Sequence, residues 1–133
     1  MQIAQASSIW RSVVAAAGLA LAAFAATAGQ VPFDKAKFDQ AIAQGKPVIV
    51  DFAASWCPTC KEQKPIVQSL LKQPKLQPVT LFLADYDTED ALKKQLGVTM
   101  QSTFVVFKDG KEVGRATGQT QKEVIGALFD KAL

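Results

Sequence analysis

The sequence predicts an α/β domain: a mixed central β-sheet flanked by helices on both faces. Apolar runs at residues 47–54 and 79–84 read as strands buried on both faces, and a third strand follows at 103–107. A helix-period stretch separates the first two, and strand–helix–strand within one sheet implies a right-handed parallel crossover. Lys108-Asp109-Gly110-Lys111 is an Asp-Gly turn that brings one more strand back antiparallel.

The chain has 133 residues, enough for one domain with a real core. Its net charge is +3, and no basic run exceeds the pair Lys93-Lys94. Cations scattered in this way form a solvated surface and leave no footprint for nucleic acid. There is no histidine, which excludes Cys–His catalytic pairs and the usual His-containing metal sites. Two cysteines also fall short of a four-ligand zinc site.

Before residue 29 the only charge is Arg11, and residues 13–28 are uncharged, rich in Ala, Leu, Val and Phe, and end in Ala26-Thr27-Ala28. The pattern predicts a secretory signal peptide over residues 1–28, cleaved near Ala28. The apolar stretch is short beside the roughly 20 residues a membrane span needs; an uncleaved anchor at residues 13–28 is the alternative. The working domain is then residues 29–133, exported to an oxidising compartment such as a bacterial periplasm, where disulfides persist.

Within that domain, Asp34 caps a helix reaching about Gln44, with Phe38, Ala41 and Ile42 on one face and Gly45 as its stop. The strand at 47–54 follows. Ser55-Trp56 then turns the chain into a helix from about Cys57 to Gln73. Pro58 suits its first position, and Pro65 removes one hydrogen bond inside it. Ile66, Val67, Leu70 and Leu71 form its buried stripe. After the strand at 79–84, a short amphipathic helix covers residues 88–96 and stops at Gly97. The Asp-Gly turn leads to a strand at 112–116, and Gly118 bends the chain. Thr120-Gln121-Lys122-Glu123 reads as a capping box, opening a last helix with Val124, Leu128 and Phe129 inward.

Cys57 and Cys60 are the only cysteines. Three apart on a helix, they face the same side and come within disulfide distance. Free N–H groups and the macrodipole at a helix N-terminus favour a thiolate on Cys57, and only the thiolate is nucleophilic. Cys60, one turn in, is expected to be the more shielded. Cys57 then attacks a partner disulfide and Cys60 resolves the mixed disulfide. A purely structural bridge is the competing reading, but closing a four-residue segment removes little chain entropy. Asp51 lies in the strand that runs into this turn. Desolvation should raise its pKa, and it can exchange a proton with Cys60 directly or through one water. An aspartate facing solvent from an edge strand is the alternative. Trp56 is a partly exposed lid and docking surface, or simply packs.

Asp51-Phe52, Trp56-Cys57-Pro58-Thr59-Cys60-Lys61, Pro65, the run Phe104-Val105-Val106-Phe107-Lys108-Asp109-Gly110-Lys111 and Gly118 resemble the thioredoxin superfamily. The resemblance covers essentially residues 33–133. It implies a thioredoxin-like fold and thiol–disulfide exchange through a redox-active disulfide between Cys57 and Cys60, with no other cofactor and no metal. Pro58-Thr59 stands where cytosolic thioredoxins have Gly-Pro, a dipeptide that tunes reduction potential. Ser102 stands where relatives place a cis-proline, and the loop Gln101-Ser102-Thr103 where they contact substrate backbone. With Trp56, Pro58 and Thr59 it makes up the expected substrate-binding surface. A non-proline cis bond costs roughly 2.5–4 kcal/mol, so the Gln101–Ser102 bond is expected to be trans, with a strained cis bond the alternative, and the Ser102 hydroxyl offered to a cysteine or a substrate. Leu83 replaces the lysine that often partners the buried acid, an apolar setting that raises the Asp51 pKa further.

The expected function is that of an exported, monomeric thiol–disulfide oxidoreductase acting as a reductase of protein disulfides. The buried acid favours reduction, as does the lack of an inserted helical domain of DsbA type or an isomerase dimerisation domain. By analogy, a membrane electron donor of CcdA or DsbD type would supply it. The alternatives are a thiol oxidase of the same fold, a module holding a soft metal or iron–sulfur cluster on the two thiolates, and a redox-inert binding scaffold.

Overall fold

A computed structural model of the chain describes residues 29–133. The order is β1 (Gly29–Pro32), α1 (Lys35–Ala43), β2 (Val48–Ala53), α2 (Pro58–Leu71), β3 (Thr80–Asp85), α3 (Asp90–Leu96), β4 (Thr103–Lys108), β5 (Lys111–Thr117) and α4 (Lys122–Asp130). The expected leader at residues 1–28, its cleavage near Ala28 and the alternative anchor at 13–28 all lie outside the described residues. No described helix is long and apolar enough to cross a membrane.

The strands form one sheet in the order β1-β3-β2-β4-β5. β2 runs parallel to β3, and β4 runs antiparallel to both β2 and β5. The mixed α/β sheet expected from the sequence is therefore present, with β2 in its middle. β1 is an addition. Its four residues begin with Gly29 and end with Pro32, too short for any periodicity to register. It pairs parallel to β3 at the sheet edge, where a proline is tolerated.

The period-two alternation of the strands divides the apolar residues between two cores. Val48, Val50 and Phe52 of β2 join Phe82, Val105 and Phe107 against Phe38 and Ala41 of α1 and Leu92 of α3. Ile49 turns the other way, with Leu81, Phe104 and Val106, against Val67 and Leu70 of α2 and Ile125, Leu128 and Phe129 of α4. Asp51 has the parity of Ile49 and so points to the face that α2 covers. The hairpin turn has both central residues at positive φ, Asp109 at 52° and Gly110 at 78°, as a two-residue turn of the primed type requires. A Cβ on Gly110 would also lie 3.1 Å from the Ile42 carbonyl oxygen.

Several boundaries move. α2 ends at Leu71 rather than Gln73, because Pro74 opens a separate 3-10 turn at Pro74–Leu76 and the residue before a proline avoids helical geometry. α3 begins at Asp90, since the N–H groups of Thr88 and Glu89 fold back onto the Asp85 carbonyl. β3 is not buried throughout: Leu83 and Asp85 are exposed. The expected capping box does not form. Gln121 is the N-cap of α4 and makes no side-chain cap. The inward stripe is Ile125, Leu128 and Phe129, at helical spacing, whereas Val124 is 39% exposed. Val124 and Leu128 share the same four-residue spacing, so the sequence pattern placed the stripe one residue early. Ile125→Ala should cost about 2–5 kcal/mol in urea unfolding, while Val124→Ser stays within about 0.5 kcal/mol; equal losses would reject this packing of α4.

Candidate active site

β2 ends in a tight elbow in which the Cys57 N–H donates to the Ala54 carbonyl at 3.2 Å. Cys57 is the N-cap of α2, with extended backbone, and Pro58 occupies the first helical position as expected. The Cys57 sulfur accepts the N–H of Cys60 at 3.1 Å. One of the donors left free at a helix start is thus spent on sulfur. The two cysteines are disulfide-bonded, with Cα atoms 5.3 Å apart. In this state the expected shielding is reversed: Cys57 is 1% exposed and Cys60 8%. Cys57 is tucked into the elbow, whereas Cys60 lies on the side of α2 that opens into a pocket.

That pocket holds about 470 Å³ and is lined by Asp51, Cys60, Leu83 and the lysines Lys61 and Lys64, among others. Asp51 and Cys60 thus share one space. Asp51 is 7% exposed, and its Oδ1 has no hydrogen-bond partner. Desolvation pushes its pKa from 3.8 up to about 7. The solvent-facing edge-strand alternative fails, since β2 is central. Leu83 pairs with Asp51 in the β2–β3 register, so an apolar side chain does stand beside the acid.

Trp56 is 55% exposed, and its ring N–H donates to Asp87 Oδ2 at 2.8 Å. It lies on the surface rather than in the core. Pro58 is exposed and Thr59 half-buried. In the loop before β4 there is no cis bond, and Ser102 adopts φ 55°, a left-handed conformation that costs a non-glycine residue of order 1 kcal/mol. The Ser102 carbonyl accepts from Gly118 N at 2.9 Å and from Gln63 Nε2 at 3.4 Å. Thr103 is buried, its hydroxyl donating to the Met100 carbonyl at 2.7 Å and lying 2.8 Å from the Thr117 hydroxyl. Of the three loop residues, only Gln101 keeps appreciable exposure.

Gln63 escaped the sequence reading. It is 2% exposed inside α2, and its amide also donates to the Gln119 carbonyl at 2.9 Å. It therefore ties the helix bearing the cysteines to both the Ser102 loop and the turn after β5. The signal was present: Gln63 falls three residues after Cys60 and four before Val67, a polar residue on the buried stripe. Asp87, the tether of Trp56, had no comparable signal.

A family model described as thioredoxin matches residues 29–131. The chain belongs to the thioredoxin family. The thioredoxin of Chlamydia muridarum is 38% identical over 94 residues, which is 71% of this chain and 89% of that protein. The H-type thioredoxin of Fagopyrum esculentum is 35% identical over 89 residues, 67% of this chain and 75% of the relative. Among solved structures, Trxlp from Edwardsiella tarda superposes with TM-score 0.74 at 36% identity, covering 76% of this chain and 98% of that one. The thioredoxin of Malassezia sympodialis reaches 0.68 at 26% identity, covering 77% and 89%. Thioredoxins work through their own cysteine pair, and the Cys57–Cys60 disulfide makes this chain a thiol–disulfide oxidoreductase. Among the described residues, no group of three or more His, Cys, Asp or Glu is arranged to hold a metal.

Two outcomes follow from this geometry. Between pH 3.8 and about 7 the folded protein holds a proton on Asp51 that the unfolded chain has released. Stability therefore falls as pH rises through this window, by up to about 4 kcal/mol. Urea unfolding of the oxidised protein at pH 4 and pH 8 should show this decline, and Asp51→Asn should flatten it; parallel slopes would rule it out. Gln63→Leu removes the donor to two carbonyls and should cost about 1–3 kcal/mol. It should also speed hydrogen exchange at the Gly118 amide, which a loss of packing alone would not single out.

Proposed function

We propose that this chain is an exported reductase of protein disulfides. The observation that carries the reading is the placement of the Cys57 sulfur on the Cys60 N–H at the start of α2, which stabilises the thiolate form. In the reduced protein the Cys57 thiolate attacks a substrate disulfide, forms a mixed disulfide and releases one substrate thiol. Cys60 then gives its proton to Asp51, attacks the Cys57 sulfur and expels the second substrate thiol. An acid with a pKa near 7 is suited to accept that proton near neutral pH.

A protein substrate is supported by the surface. Trp56 and Met100, at 55% and 54%, are the two most exposed large apolar side chains among the described residues. One adjoins Cys57 and the other adjoins Gln101. Such exposure suits an apolar docking face. Export rests on the leader-like residues 1–28, the reductive direction on the retained Asp51, and a membrane donor of CcdA or DsbD type on analogy only. The chain acts as a monomer in this reading.

The protein should accelerate reduction of insulin disulfides by dithiothreitol, and Cys57→Ser should abolish this. A reduction potential near −270 mV supports the reductive direction, whereas one near roughly −120 mV would make the chain an oxidase. Cys60→Ser should trap substrate proteins on Cys57 in the native compartment. The exported protein should begin at about residue 29; a chain still starting at Met1 would leave the anchor in place.

A further inference from the structure

Gln63 carries a cost that an apolar residue in its place would not. It is 2% exposed inside α2, and its Oε1 is buried with no partner among the described residues. Its amide nitrogen faces two carbonyls, Gln119 at 2.9 Å and Ser102 at 3.4 Å. A carbonyl can only accept, so the nitrogen and not the oxygen must point at them. Methionine would fill the same space without an orphaned acceptor. Packing alone therefore does not call for an amide here.

What the amide holds lies next to the cysteines. Thr103 pairs with Phe52 at the end of β2 from which the chain turns to Cys57, so the residues before β4 stand beside the elbow. There the Thr99 carbonyl accepts from the Tyr86 hydroxyl at 2.8 Å and the Met100 carbonyl from the Thr103 hydroxyl at 2.7 Å. The Ser102 carbonyl accepts from Gly118 N at 2.9 Å. Gln101, between them, is half-buried, and its backbone groups make no hydrogen bond among the described residues. The left-handed backbone of Ser102, φ 55°, turns the chain at this point, and a serine keeps that strained conformation only while its surroundings hold it.

We propose that Gln63 is a positioning residue for polypeptide substrates. Through the Ser102 and Gln119 carbonyls it sets the distance from α2, which carries the cysteines, to the open backbone of Gln101, against which the chain flanking a substrate disulfide lies. The proposal rests on the reading of this chain as a reductase of protein disulfides and deepens it. Gln63 acts on how a polypeptide is presented to Cys57, not on the exchange itself. A small disulfide has no peptide groups to present, and its reaction with Cys57 does not use the loop.

The test mixes the fully reduced, full-length chain with insulin or, separately, with hydroxyethyl disulfide. Loss of protein thiols gives a second-order rate constant for each, and their ratio cancels any change in the Cys57 thiolate. In Gln63→Met the insulin constant should fall about five- to tenfold relative to the hydroxyethyl disulfide constant. Equal changes in both overturn the proposal, since a merely structural role would lower the two together. Gln63→Glu is the conservative arm. Its carboxyl, buried against two carbonyl oxygens, keeps its proton at about pH 6 and with it one O–H donor. Its ratio there should stay within about twofold of wild type, and a ratio about five- to tenfold low overturns the proposal. A wild-type chain that reduces hydroxyethyl disulfide but leaves insulin intact overturns the protein-disulfide reading and the proposal with it. Insulin reduced by wild type at a ratio that Gln63→Met leaves unchanged overturns the role of Gln63 alone.

Discussion

The hydrogen bond from the Cys60 N–H to the Cys57 sulfur joins the backbone to the chemistry. An α-helix begins with donors that have no partner within it. Here the chain places a sulfur at the N-cap, where most helices place an oxygen. The same contact holds the disulfide in register with the helix and lowers the cost of negative charge on one of its two atoms. Pro58 contributes by occupying the first helical position without needing a hydrogen bond. The pair is therefore asymmetric before any substrate arrives: the Cys57 sulfur accepts a backbone N–H, and Cys60 is the cysteine that lines the Asp51 pocket.

The sheet supplies the second requirement, an acid that is dry without being isolated. β2 is flanked by β3 and β4, so any charged residue on it loses solvent. Strand alternation sends Asp51 to the face covered by α2, alongside Ile49 rather than Val50 or Phe52. Its nearest register neighbours are Leu83 and Phe104, neither able to stabilise a carboxylate. A proton is thereby kept near Cys60 by the expense of ionising the acid rather than by any partner. The Ser102 loop illustrates a different balance. Its left-handed backbone is held by the Gly118 amide and by Gln63, a buried amide on the same helix as the cysteines.

Much of this was legible in the residues. Residues 48–53 are apolar but for Asp51, and residues 104–107 form an unbroken apolar run, as suits strands covered on both faces, and Asp109-Gly110 suits a tight reversal. Asp34, Gly45 and Gly97 mark their helix ends through local backbone preferences. The errors share a cause. Val124 and Ile125 differ by one position on a helix, and either satisfies an amphipathic pattern, so packing against the sheet had to choose between them. β1 exists because β3 offers an open edge; nothing local in Gly29-Gln30-Val31-Pro32 requires a strand. Cys60 was expected to be the more shielded cysteine, yet Cys57 is the more buried, because burial depends on neighbouring elements and not on helix position alone.

The sequence by itself determined the chemistry: two cysteines at helical spacing behind a proline-compatible helix start, an acid embedded in a buried strand, and no histidine to offer another route. These follow from covalent structure, local geometry and the cost of burying charge. Only the tertiary structure decided which cysteine lines the pocket, that Gln63 holds the Ser102 loop, that Thr103 turns its hydroxyl inward, and that Trp56 is tethered to Asp87. Those outcomes depend on contacts between residues far apart in the chain, and such contacts exist only once the sheet has brought its elements together.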